Sequence, residues 1–246
     1  HFPGTRKTYQ QADHVFCGSR HTRQELEVQY PELSQKLEWM PENGIEEKEI
    51  FKLISLHHQC LRLCFVGRLV PYKGCDLVLK ALAKVASMGM KNFFKLEVVG
   101  DGPERNALIR LARSLKIEDL VTFHGWQSRE EVFAVFQRSD LLVFPSRREF
   151  GGGVVVEAMA CGCVPVVLAH GGPDEITGED DAFKINSFDP RSIVERISDI
   201  LIECRAQPQR LNKKRFRALA TAKELTWESK ALRMVEVYRN IQGRVA

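Results

Sequence analysis

From Leu61 onward, short apolar runs alternate with longer stretches whose apolar positions recur every three to four residues. The run 61–69, Leu-Arg-Leu-Cys-Phe-Val-Gly-Arg-Leu, predicts a buried strand ending near its glycine. Leu77, Val78, Leu82 and Val85 fall at helical spacing and predict a helix over Cys75 to Ser87. Residues 93–99 predict a second strand, stopped by Gly100-Asp101-Gly102-Pro103. Pro103, tolerated in a first helical turn, opens a helix to about Leu115. A brief strand follows at Val121 to His124, and Ser128 with Glu131 three residues later makes a capping box for the next helix. Asp140 to Phe144 predicts a strand, Gly153 to Ala160 a helix, Val164 to Leu168 a strand and Ala182 to Ile185 a last short strand. Helices over 190–204, 208–223 and 227–241 complete the pattern.

Short strands alternating with helices form βαβ units, so the expected fold is α/β with a Rossmann-like, doubly wound parallel sheet. Such sheets bind ligands outside the carboxyl ends of their strands. That leaves the loops Gly67 to Gly74, Gly100 to Pro103, Gly125 to Gln127, Pro145 to Gly153 and Ala169 to Pro173 as candidates. The N-terminal part reads differently. Ala12 to Cys17 predicts a strand, Thr22 to Tyr30 a helix, Pro41 to Gly44 a turn, and the polar stretch to Gln59 a linker. The expected division is residues 1–59, 60–225 and 226–246.

Composition narrows the classes. The 44% hydrophobic and 28% charged fractions are those of an ordinary globular protein. A formal charge of +4 suits an anionic ligand but lacks the basic footprint of a nucleic-acid binder. No apolar run approaches the roughly 18 residues of a membrane span. The start, His1 to Lys7, has neither Met nor a signal-peptide profile and reads as the cut end of a longer chain. Seven cysteines without a CxxC pair read as reduced, buried thiols of a cytoplasmic protein, with no zinc site. The basic stretch Arg205 to Arg217 reads as a solvated helix face, with peripheral contact to an acidic membrane surface as the alternative. His124 reads as structural, His57-His58 as solvated, and Phe16, Phe65, Phe94 and Phe144 as core.

Two loops carry candidate chemistry. In Gly67-Arg68…Lys73-Gly74, a glycine at a strand end admits a ligand close to the backbone, and two cations five residues apart can clamp a diphosphate. In Glu149-Phe150-Gly151-Gly152-Gly153-Val154-Val155-Val156-Glu157, three glycines precede a helix and present bare amides to an anion. The spacing is neither a Walker loop nor GxGxxG. Carboxylates repel phosphate, so Glu149 and Glu157 beside that anion site are better suited to accept hydroxyl hydrogen bonds from sugar or ribose.

The Glu-x7-Glu spacing followed by Ala158-Met159-Ala160-Cys161-Gly162 resembles the signature of the retaining glycosyltransferases of family four, which have the GT-B fold. Asn43-Gly44, Gly67-Arg68-Leu69…Lys73-Gly74, Gly100-Asp101-Gly102-Pro103, Phe123-His124-Gly125, Pro145-Ser146 and Gly171-Gly172-Pro173-Asp174-Glu175 fall in that family's order. One departure is local: the commoner form is Glu-Gly-Phe-Gly, and here the aromatic, Phe150, sits one place earlier. The other is large, since nearly all of the first of two Rossmann-like domains is absent. Residues 1–59 would be a remnant of that N-terminal domain plus linker, and the helix from Trp227 would be the crossover segment, part of whose apolar surface should be exposed.

The resemblance implies a UDP- or GDP-sugar as substrate and transfer of a hexose, with retention, to a glycan or lipid-linked acceptor. It implies that Arg68 and Lys73 hold the diphosphate and neutralise the leaving nucleotide, in place of a metal ion or other cofactor. Glu157 would accept the ribose hydroxyls, and Glu149 a hydroxyl of the transferred sugar. Gly67 and the amides of Gly152, Gly153 and Val154 would face phosphate or sugar. The loop near His124 to Gln127 would border the base, and His170 is a candidate for sugar contact. With Glu149 off the reacting face, a front-face internal return is expected rather than the close carboxylate pair of retaining glycosidases. The alternative is a catalytically inactive nucleotide-sugar-binding module, or a fragment that needs its missing N-terminal domain. An epimerase of the same shape would use carboxylates and a histidine from both domains and lacks this Glu-x7-Glu context.

Overall fold

The apolar runs become a six-stranded parallel sheet whose central strands are buried on both faces and whose edge strand, Val121–Gly125, is partly open. In the computed structural model, which describes residues 5–51 and 60–245, the strands are β3 (Leu61–Val66), β4 (Phe94–Val99), β5 (Val121–Gly125), β6 (Leu141–Phe144), β7 (Val164–Leu168) and β8 (Phe183–Ile185). Their order is β5-β4-β3-β6-β7-β8, every neighbouring pair parallel. The order reverses between β3 and β6, and a doubly wound sheet binds its ligand at such a switch point.

The connecting helices are α3 (Cys75–Val85), α4 (Arg105–Ser114), α5 (Arg129–Arg138), α6 (Gly153–Ala160) and α7 (Gly171–Ile176), followed by α8 (Pro190–Ala206) and α9 (Pro208–Glu224). On one side α3 packs against α4 and α8; on the other α6 packs against α5 and α9. One continuous core fills the space between, with Leu63, Phe65, Phe94, Phe136, Leu142 and Val166 inaccessible to solvent. The predicted capping box holds: the Ser128 hydroxyl accepts from the Glu131 amide, and the Glu131 carboxylate accepts from the Ser128 amide. Such a cap is worth about 1 kcal/mol.

Several sequence expectations need correction. The first strand ends at Val66 rather than residue 69, and Leu69, although 1% exposed, is buried by a turn. The helix expected from Pro103 starts at Arg105, after a turn in which the Glu104 amide donates to Leu69 O. The loop after β7 is largely the short helix α7, whose two glycines and proline hid it from a propensity reading.

The basic stretch is no uniformly solvated face. Arg215 is 3% exposed, and its Nη2 donates to Asp140 Oδ1 at 2.6 Å. Lys214 is buried too, and donates to the carbonyls of Glu179 and Ala182. Of its basic residues, Arg205, Arg210, Lys213 and Arg217 stay outside.

The N-terminal residues form a second, two-stranded parallel sheet, β1 (Val15–Cys17) with β2 (Leu37–Trp39), beside α1 (Thr5–Gln11) and α2 (Arg20–Gln29). It has its own small core of Cys17, Leu26, Tyr30, Leu33 and Leu37. Phe16, expected in the core, is only half-buried and packs on the His14 ring. Residues 45–51, read as linker, are fastened to the larger unit: Ile45 is fully buried and its amide and carbonyl bond Leu225 O and the Trp227 amide. The Phe51 amide bonds Ala160 O. The remainder of that linker, with His57-His58, lies outside the described residues. The last helix, α10 (Trp227–Val245), exposes Trp227, Leu232, Val235 and Tyr238. Its Arg233 forks onto Glu38. No helix among the described residues is long and apolar enough to cross a membrane.

Candidate functional site

At the switch point, the loops after β3 and β6 face each other and are locked together. The Arg147 amide donates to Tyr72 O at 2.8 Å, and the backbone of Gly74, at φ 75°, passes so close to Pro145 O that a Cβ would lie 2.9 Å from it. The loops after β3, β4 and β5 are zipped in the same way, by Gly67 N to Val99 O, Leu69 N to Asp101 O and Gly100 N to Gly125 O. Gly100 is required here, since its Cβ would meet Gly67 O at 2.0 Å. Glycine therefore serves first to pack one loop on the next.

The result is a cavity of about 350 Å³ lined by Val66, Gly67, Lys73, Gln127, Arg129, Val132, Phe144, Glu149, Val154 and Glu157. It gathers residues from β3, β6, α5 and α6, which no local pattern in the sequence links.

Five of the sequence-derived site residues meet there: Gly67, Lys73, Glu149, Val154 and Glu157. Lys73, carried by a 3-10 turn over Pro71–Lys73, forms an ion pair with Glu149 Oε2, and its Nζ lies 4.9 Å from the Phe144 ring centroid. The Glu149 carbonyl accepts from the Gly172 amide at 3.1 Å, so the start of α7 holds the glutamate's loop. Gly152, at φ 66°, caps the start of α6. The next amides, of Gly153 and Val154, belong to the first turn, which a helix leaves without internal partners. Arg68, Gly152 and Gly153 do not line the cavity; Arg68 is exposed at its edge in sequence, one residue after Gly67. Phe150 is 71% exposed and takes no part in the lining either.

Glu157 is positioned by a residue that sequence reasoning missed. Arg129 Nη1 donates to Glu157 Oε1 at 2.6 Å, while its Nε and Nη2 donate to Glu49 at 2.8 and 3.1 Å. Burial pushes the Glu157 carboxyl above the usual carboxylate range, and Arg129 offsets part of that. Only the position of Arg129, directly after a helix cap, could have drawn notice to it. Glu49 stands in the supposed linker and gave no signal. Gln127 lines the cavity, and His124 Nε2 lies 2.8 Å from Glu97 Oε2. His170 does not line the cavity; its ring meets Phe188 edge-on at 5.2 Å.

A larger cavity of about 600 Å³ opens between α2 and α7. There Glu175 accepts from the amides of Arg20 and His21 at 2.6 and 3.3 Å, closing the start of α2. It holds none of the paired acid and base residues of the switch point, so the smaller cavity is the candidate site.

Residues 46–217 match the family described as Glycosyl transferases group 1. The D-inositol 3-phosphate glycosyltransferase of Segniliparus rotundus is 32% identical over 181 residues, covering 72% of this chain and 39% of its own length. That of Thermomonospora curvata is 28% identical over 217 residues, 83% of this chain and 49% of the relative. The chain thus spans less than half the length of these two curated relatives. Among solved structures, a glycosyltransferase from Rickettsia africae superposes with a TM-score of 0.75 at 17% identity, over 98% of this chain and 68% of its own. Anabaena Alr3699/HepE in complex with UDP gives 0.74 at 20% identity, over 97% and 65%.

Proposed function

The chain belongs to the Glycosyl transferases group 1 family, and from that premise we propose that its switch-point cavity binds a UDP- or GDP-sugar for transfer with retention. The observation that carries this reading is the convergence of Lys73, Glu149 and Glu157 on one cavity beside the first amides of α6. Lys73, with Arg68 of the same loop, compensates the charge of the diphosphate as the glycosyl bond breaks. That cationic pair takes the part played by a divalent ion in other transferases. Glu157 accepts from the ribose and Glu149 from the sugar. The Gly153 and Val154 amides donate to the phosphate. In front-face return, the leaving phosphate oxygen takes the acceptor's proton while the acceptor oxygen bonds the anomeric carbon on the face just vacated. No enzyme carboxylate becomes covalently attached.

In the same reading the acceptor, a glycan or lipid-linked glycan, is presented by a part of the relatives' length that this chain does not span. The isolated chain then holds donor without turning it over efficiently. The fold likeness to UDP-bound Anabaena Alr3699/HepE is in keeping with this reading. Titration calorimetry with UDP and GDP tests it. Micromolar-range binding of one of them is expected, abolished in the Arg68→Ala/Lys73→Ala double variant. Absence of heat with any nucleoside diphosphate would overturn it.

A further inference from the structure

Arg129 lines the cavity but has no part in the donor-binding roles assigned above to Lys73, Glu149 and Glu157. It is the first residue of α5, and its guanidinium carbon lies 5.0 Å from the Phe133 ring centroid. Its donors are divided: Nη1 goes to Glu157 Oε1, while Nε and Nη2 form a two-pronged fork on Glu49. Glu49 is itself fixed, since its Oε2 accepts from the Glu46 amide at 3.0 Å in a reciprocal cap. The segment carrying it is sewn to Leu225 and Trp227 through Ile45. A planar guanidinium held by a fork has little freedom left, so the direction of Nη1 is set by three separate parts of the chain.

We propose that Arg129 is a positioning residue for the donor's ribose, fixing Glu157 through Oε1 and leaving Oε2 to accept a ribose hydroxyl. The proposal rests on the reading of Glu157 as the ribose acceptor. Among the described residues no hydrogen bond is made to Glu157 Oε2, so the free oxygen is available without breaking the clamp. The charged and titratable groups around Glu157 explain why a clamp is needed. Arg129 approaches from α5, Glu49 from the turn before β3, and Lys73 and Glu149 from across the cavity; Cys161 ends its own helix. Lys73 is committed to Glu149, which leaves Arg129 to answer both Glu157 and Glu49. Without Arg129, two carboxylates would face one another in a half-buried place, and burial already favours the protonated form of Glu157. A protonated or swung-away Glu157 loses the hydrogen bond that distinguishes a ribose.

Calorimetric titration of this chain with UDP and GDP and with their 2′-deoxy counterparts, at pH 6 and pH 8, reads the effect directly. The wild type is expected to prefer the ribonucleotide about ten-fold, the usual worth of one hydrogen bond to a charged acceptor. In Arg129→Met that preference should fall to about two-fold, more completely at pH 6, with little change in the affinity for the deoxynucleotide. Arg129→Lys, which keeps the charge without the fork, should recover part of it, and Glu49→Gln should fall between. A merely structural arginine would lower both affinities together. A wild-type preference that survives unchanged in Arg129→Met overturns this proposal alone. Failure of the wild type to bind either ribonucleotide overturns the donor-site reading as well.

Discussion

The Lys73 ammonium is paired with the Glu149 carboxylate, a residue 76 positions further along the chain, at the mouth of the switch-point cavity. Both side chains are more than four-fifths buried, at 15% and 18% exposure. A carboxylate so placed competes with phosphate for the cation and repels it. Glu149→Gln should therefore tighten binding of bare UDP or GDP about five-fold, the worth of an ion pair near 1 kcal/mol. The same variant should lose preference for the nucleotide sugar over the bare nucleotide, because the sugar hydroxyl loses its charged acceptor. Calorimetry with both ligands checks this. Unchanged or weaker binding of the bare nucleotide would show that Glu149 does not restrain Lys73.

A second prediction concerns how Glu149 is placed. Gly171 lies at φ 66°, and a Cβ on it would come within 2.5 Å of Glu149 O. Gly171→Ala must therefore shift the Glu149 loop in addition to adopting a left-handed backbone, which costs about 1–2 kcal/mol by itself. Gly89 provides the control: it has φ 82°, with nothing within 4 Å of the added Cβ. Gly89→Ala should cost stability of similar size and leave nucleotide-sugar binding intact. Gly171→Ala should lose that binding. Equal binding by the two variants would contradict a role for the α7 start in holding Glu149.

The sheet was legible because its central strands are runs of apolar residues buried on both faces, so their signal is continuous. Strands such as Leu141–Phe144 and Val164–Leu168 could be read to within a residue. What escaped were elements made by tertiary context. The helix Gly171–Ile176 contains residues that disfavour helices, and Leu37–Trp39 is a three-residue strand whose pairing with Val15–Cys17 no local pattern encodes. At the site, Lys73, Glu149 and Glu157 could be read because they sit in glycine-bounded motifs. Arg129 and Glu49 could not, since an arginine after a cap and a glutamate in a polar stretch look solvated until the fold brings them together. Lys214 and Arg215 misled for the converse reason: a basic run on a helix gives no sign that two of its members turn inward.

That inward turn gives the third prediction. Arg215 and Asp140 are 4% and 6% exposed, and Asp140 Oδ2 also accepts from the Arg62 amide at 2.8 Å, so the pair ties α9 to the starts of β3 and β6. Removing one member leaves a buried charge unanswered. Arg215→Met should cost about 3–5 kcal/mol in urea unfolding. Asp140→Asn, which keeps an acceptor for Arg62 and leaves no carboxylate, should cost less than Asp140→Ala. A cost for Arg215→Met below about 1 kcal/mol, the range of exposed pairs, would mean that the pair is solvated in solution.

The last prediction is a pH dependence carried by Lys230. Its Nζ donates to Pro41 O at 2.5 Å and to Asn43 O, and burial lowers it from 10.5 to about 8. Below pH 8 both folded and unfolded chains carry the proton, and the folded state bears the cost of a buried charge. Between pH 8 and 10.5 the unfolded chain binds more protons than the folded one, so stability rises with pH, by at most about 1.4 kcal/mol per pH unit from this group. Cys204 works the other way. Burial pushes it from 9.0 to about 12, so the folded state keeps a proton that the unfolded chain releases, and stability falls as pH climbs past 9. Other buried thiols, Cys75 and Cys161 among them, are raised in the same way, so the Lys230 contribution is read from the difference between wild type and variant over pH 8 to 9. Urea unfolding there should show the wild type gaining up to about 1 kcal/mol relative to Lys230→Met, the buried thiols lowering both profiles alike. A wild-type advantage that does not change with pH would refute the assignment. The same contact bears on the site, because Gly151 and Gly153 lie against the Asn43 side chain, where a Cβ on Gly151 would come within 2.1 Å of Nδ2. Loosening the 41–43 turn in Lys230→Met should consequently weaken nucleotide binding as well, through the glycine loop rather than through any group that touches the ligand.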